Sequence, residues 1–144
     1  MKIWNMRKSG LSQAEIGRRL NISRQAVHDA LRIAYKNVDL ALRHAAEANM
    51  IDVQYVDPER GILLGRSPPL GERRIITFSV RHGIQTWHYT DPNCLRCLWM
   101  ERCRGRLLEE AEERGVRITD DEKRLPPSKL AQAIFSRVLP GLEL

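Results

Sequence analysis

Ser12–Leu31, SQAEIGRRLNISRQAVHDAL, reads as two short helices joined by a tight turn. Ser12 stands three residues before Glu15, the spacing of a capping box that satisfies orphan N–H groups at a helix start. Ile16 and Leu20 fall on one face of that first helix, and Gly17 offers no side chain where the two helices cross. Asn21 occupies the turn, where a left-handed backbone is wanted and Asn is the usual substitute for Gly. Ile22 is expected to plug the corner between the helices and Ser23 to cap the second one. Val27, Ala30 and Leu31 then form its inward face. An ordinary pair of packed helices would show the same apolar spacing.

The stretch resembles the helix-turn-helix units of phage repressors, of the promoter-reading region of sigma factors, and of archaeal Tfx-type regulators. The matching residues are Gly17, Asn21, Ile22, Val27 and the Ala30-Leu31 pair, with Asn21 departing from the commoner glycine. The resemblance covers roughly the first third of the chain. It implies a transcriptional regulator that binds double-stranded DNA, with the helix opening at Ser23 laid in the major groove.

Charge is distributed in keeping with that expectation. The 144 residues hold 24 basic and 18 acidic side chains. Residues 1–50 carry nine basic against four acidic, residues 51–90 five against four, and residues 91–144 ten against ten. Nearly all the positive excess thus lies in the N-terminal third that contains the two-helix stretch, as phosphate binding demands. The N-terminus is polar and no apolar run reaches membrane-spanning length, so the expected partners include no membrane and the expected location is cytoplasmic. Arg outnumbers Lys nineteen to five, a compositional hint of a GC-rich or thermophilic source.

On the helix opening at Ser23, Arg24, Gln25, His28 and Arg32 share roughly a quarter-turn sector away from the apolar face. These are the candidate base-reading residues: Arg suits the paired acceptors of guanine, and Gln the acceptor–donor pair of adenine. Asp29 borders the sector and is expected to orient Arg32 or Arg24, with acceptance from a cytosine amine as the alternative. Lys8, Gln13, Arg18, Arg19, Ser23 and Lys36 are candidate contacts to the DNA backbone, which position without specifying.

Around this stretch, residues 2–9 are expected to form a first helix whose Ile3, Trp4 and Met6 cover the back of the pair. No Gly or Pro follows Leu31 until Pro58, which predicts a long connecting helix, with a break near Asn37 as an alternative. Val27, Ala34, Ala41 and Ala48 with Leu31, Val38 and Ala45 follow a heptad. The seam is thin, since most of its members are alanine. It would pair with a second copy in a homodimer, or lie on the C-terminal part of its own chain.

From Ile51 the period shortens to two. IDVQYV and ILLG flank a DPERG turn, and RIITFSV and IQTWHY flank RHG, which predicts a small antiparallel sheet. Ile76, Phe78 and Val80 would share one face, and Ile75, Thr77 and Ser79 the other. Asp91-Pro92 signals a helix start, with the helix loosened near Gly105 and stopped at Gly115. Glu109, Glu110, Glu112 and Glu113 read as a solvated face. Ser128 is expected to cap a final helix whose inward residues are Leu130, Ala133, Ile134, Phe135 and Val138, and Pro140-Gly141 to end it. The expected fold is α+β, with a helix-turn-helix module over residues 1–50 and a sheet-and-helix domain over residues 51–144.

All three cysteines fall in CLRCLWMERC, as Cys94, Cys97 and Cys103. The first pair has the spacing of a metal knuckle or redox pair, and His88 precedes it by six residues. Zinc held by the three cysteines and His88, an iron–sulfur cluster, a disulfide and free thiols all remain open. On a continuous helix Cys103 would point about 180° from Cys94, so convergence needs a break between them. Two further function classes stand beside the regulator: the DNA-targeting module of a recombinase or transposase system, and a metal- or redox-responsive protein. No carboxylate set with metal spacing and no nucleophile with a local partner motif is visible, so an enzyme is not expected.

Overall fold

A computed structural model of the chain describes residues 1–69, 71–88 and 94–139. It shows an α+β fold in which N-terminal helices precede a four-stranded antiparallel sheet and C-terminal helices follow it. The helices are α1 (Lys2–Lys8), α2 (Gln13–Leu20), α3 (Arg24–Ala48), α4 (Met100–Glu113) and α5 (Pro127–Val138). The strands β1 (Asp52–Asp57), β2 (Ile62–Ser67), β3 (Glu72–Ser79) and β4 (Gly83–His88) lie in sequence order. Two compact units result, Met1–Thr86 and Trp87–Leu144. The expected boundary at residue 50 therefore lies inside the first unit.

Packing of α3 explains that difference. Val27, Leu31, Ala34, Val38, Leu42 and Ala46 form its buried face and join a core with Trp4, Ile16, Leu63 and Ile76. The heptad seam is thus covered by the chain's own helices and sheet. The buried face also drifts off the seven-residue repeat toward Leu42 and Ala46, as a straight helix with 3.6 residues per turn must. Ala48, the last seam residue, is exposed. No break occurs at Asn37: α3 runs 25 residues, about 37 Å at 1.5 Å per residue.

Trp4 fastens α1 to the sheet. Its indole N–H donates to the Pro58 carbonyl at 2.8 Å, and its ring meets Phe78 edge-on at 5.3 Å. The β1–β2 turn is shaped to receive it: Asp57 accepts the Arg60 N–H, and Gly61 turns the chain at φ 65°. A Cβ on Gly61 would stand 2.9 Å from the Trp4 ring. In the sheet, Ile75 and Ile76 are both fully buried, as are Ile62 and Leu63. The central strands therefore lack a wet face, and Val80 lies beyond β3 with 49% exposure.

The second unit departs from expectation in its details. α4 passes through Gly105 unbroken, then ends where Gly115 adopts φ 65° and the Val116 N–H reaches back to the Ala111 carbonyl. That is a Schellman stop. Glu110 is not solvated: its side chain and that of Arg114 are 1% and 2% exposed and form an ion pair. The pair is four residues apart on one helix face. α5 starts at Pro127, which suits a first helical position because it needs no N–H partner, so Ser128 is inside the helix rather than its cap. Leu130, Ile134 and Phe135 are fully buried. The expected signals at Asp91-Pro92 and Pro140-Gly141 lie outside the described residues.

Candidate nucleic-acid interface and the cysteine segment

The Ser12–Leu31 stretch folds as α2, a three-residue turn and the first turns of α3. The Ser12 N–H donates to Glu15 Oε2 at 2.7 Å, and the Glu15 N–H to Ser12 Oγ at 3.1 Å, closing the expected capping box. Ser12's backbone N–H holds the Glu15 carboxyl below its ordinary range, with Arg18 and Arg19 adding to the effect. Asn21 is left-handed at φ 54° and ψ 46°. The Ile22 N–H bonds the Gly17 carbonyl at 3.0 Å across that turn. Ser23 Oγ accepts from the Ala26 N–H at 3.0 Å and starts α3.

Gly17 is required by the turn itself. A Cβ there would stand 2.8 Å from the Ile22 carbonyl oxygen, which is backbone and cannot yield cheaply. Ile22 does not plug the corner; it is 39% exposed, because its backbone rather than its side chain closes over Gly17. Ala14, Gly17, Arg18, Ile22, Ser23 and Arg24 line an open cleft where α2 meets the start of α3.

Arg24, Gln25, His28 and Arg32 are all exposed at the start of α3. Gln25 Nε2 donates to Asp29 Oδ1 at 3.1 Å. Asp29 therefore orients the amide, not Arg24 or Arg32 as expected; the four-residue spacing was the available signal. Arg18, Arg19, Ser23 and Lys36 are exposed and Gln13 is half-buried. Lys8 is engaged instead: its ammonium lies 4.7 Å from the centroid of Trp4.

The two carboxylates between residues 11 and 36, Glu15 and Asp29, are thus taken by a backbone N–H and an amide. Elsewhere carboxylates pair with cations, as in Arg7–Glu59, Arg43–Asp39, Arg60–Asp57 and Arg137–Glu122. Among the described residues, Arg18, Arg19, Arg24, Arg32 and Lys36 enter no such ion pair. Their charge faces solvent without a carboxylate bound to it, on one helix pair.

Cys94–Arg96 form a 3-10 turn, closed by the Cys97 N–H on the Cys94 carbonyl at 3.1 Å. α4 begins afresh at Met100, and the Cys103 N–H donates to the Trp99 carbonyl at 2.9 Å. All three thiols are free; Cys97 is exposed and Cys94 and Cys103 are half-buried. Burial raises the Cys103 thiol above its ordinary range; Cys97 and Cys94 add to the rise and Arg106 opposes it. Among the described residues, no three His, Cys, Asp or Glu side chains already stand gathered as a metal-holding group. His88 is exposed at the end of β4. No described helix is long and apolar enough to cross a membrane.

No protein-family model, curated protein or solved structure matches this chain.

Proposed function

We propose that this chain is a sequence-specific, double-stranded DNA-binding transcriptional regulator that reads the major groove with the start of α3. One observation carries the reading. Five cations flank an amide and an imidazole on α2 and α3, while both nearby carboxylates are bound by uncharged groups. A surface left cationic in this way attracts phosphate. Arg24, Gln25, His28 and Arg32 are the base-reading set, and Gln13, Arg18, Arg19, Ser23 and Lys36 position the backbone. Lys8 would join them only by leaving the ring of Trp4.

Two copies on a palindromic site form part of the proposal, because two-fold symmetry lengthens the address read. The buried face of α3 is not available for pairing. Ile33 and Leu40, seven residues apart on one outer face of α3, are 59% and 50% exposed and offer the alternative.

Selection of bound duplexes from a random pool tests the reading, and a palindrome is the expected product. Against the selected site, Arg24→Ala should lose about 1–3 kcal/mol of binding and relax one position. Arg19→Ala should instead weaken binding to all sequences alike and flatten the salt dependence. No enrichment of any sequence, or equal binding by wild type and Arg24→Ala, overturns it.

A further inference from the structure

We infer that Asp29 is a positioning residue for base reading: it holds the Gln25 amide one way round, so that this part of α3 selects adenine. The inference rests on the DNA-reading proposal and adds the chemistry that one position of the site must present. Its basis is the bond from Gln25 Nε2 to Asp29 Oδ1 at 3.1 Å. An ionised carboxylate only accepts hydrogen bonds, so it binds the amino end of the amide and never the carbonyl end. Asp29 thereby dictates which way the amide sits. One N–H goes to the carboxylate, which leaves the Gln25 carbonyl and a second N–H as an adjacent acceptor and donor. Adenine presents the complementary amine and N7 acceptor in the major groove, whereas guanine and thymine place a keto oxygen there.

The placement of Asp29 supports this role. Successive residues advance by about 100° around α3, which sets Gln25 between Arg32 and Asp29, with Asp29 at the border of the base-reading sector. Asp29 is also the sole carboxylate on α3 before Asp39. Arg32 follows it by three residues, a spacing suited to an ion pair, yet the bond Asp29 makes is to the uncharged amide. An anion on a surface facing phosphate lowers affinity for every sequence alike. What it adds is discrimination. An untethered amide can turn over and offer its amino end to a keto base; one held by a carboxylate cannot do so without losing that bond.

The test starts from duplexes that the full wild-type chain selects from a random pool. All four bases are then placed in turn at the position whose preference Gln25→Ala abolishes. Wild type should favour adenine there over guanine and thymine by about tenfold. Asp29→Asn keeps the shape but can bond the amide either way round. It should cut that preference to about twofold while tightening binding to random duplex. In a Gln25→Ala background the same substitution should leave base preference unchanged, because Asp29 acts through the amide. A merely structural helix pair would leave preference untouched in every variant. Wild-type preference retained in Asp29→Asn overturns the inference. So does a base other than adenine at that position, a site with no position dependent on Gln25, or an Asp29→Asn effect on preference that persists without Gln25. Each of these leaves the DNA-reading proposal standing, whereas a pool in which nothing enriches removes both.

Discussion

Ser12–Glu15 and Thr119–Glu122 close the same reciprocal cap at two places in the chain, with different surroundings. In both, a hydroxyl accepts the N–H three residues on and the carboxylate accepts the N–H three residues back. At the second, Arg137 of α5 also binds the Glu122 carboxylate and donates to the Arg117 carbonyl at 2.8 Å. That cap is a tertiary fastening. The first stays local, with Arg18 and Arg19 nearby but held by no ion pair. The contrast is between two regions: between residues 11 and 36 cations are left facing water, whereas in the second unit Arg114 and Arg137 are bound to Glu110 and Glu122.

The largest effect should come from the buried pair. Glu110→Gln leaves the Arg114 charge buried without its carboxylate and should cost about 3–5 kcal/mol in urea denaturation. Replacing both residues, Glu110→Leu with Arg114→Met, should recover most of that loss. A single variant as stable as wild type would erase the contrast between the two regions. Next, within α3, Leu31→Ala should cost about 2–5 kcal/mol because a filled core site empties. Its neighbour Arg32→Ala should stay within about 0.5 kcal/mol in stability. Ser12→Ala, which removes one cap, should cost about 1 kcal/mol.

Acid should separate the two caps. The Arg137 hydrogen bond, with the Thr119 N–H, draws the Glu122 carboxyl down to about 2. A carboxyl depressed in the folded state stabilises above its unfolded pKa of about 4.3, and that stabilisation fades as pH falls toward the folded value. Urea midpoints measured from pH 5 to pH 2 should therefore fall more steeply in wild type than in Glu122→Gln. Parallel curves would show that the fastening contributes nothing.

The elements that the sequence made legible are those decided within a few residues. The capping box, the left-handed Asn21, the Ser23 cap and the Gly115 stop each depend on neighbours three to five positions away. Two hairpins were legible for the same reason, since Asp57–Gly61 and Arg81–Gly83 are short turns between apolar runs. What escaped depended on distant partners. The heptad on α3 had no way to announce that its own sheet would cover it. Glu110 looked like its neighbours Glu109, Glu112 and Glu113 until helix packing buried one face of α4. Trp4, placed at the back of the helix pair, also reaches Pro58, 54 residues away in sequence. In the candidate interface the exposure of Arg24, Gln25, His28 and Arg32 could be read from helical phase, and the Gln25–Asp29 bond, though missed, was open to the same reading because it spans one helical turn. The break between Cys97 and Met100 was beyond local pattern.

α3 is at once the spine of the first unit and the bearer of its outermost cationic edge. Its direction in space is fixed by Leu31, Val38 and Leu42, which cannot be altered without loss of stability. Its leading side chains support nothing else in the fold. Arg24, His28 and Arg32 can therefore be exchanged by mutation while the rod that presents them stays still, so the surface chemistry at the start of α3 is free to change without a new scaffold.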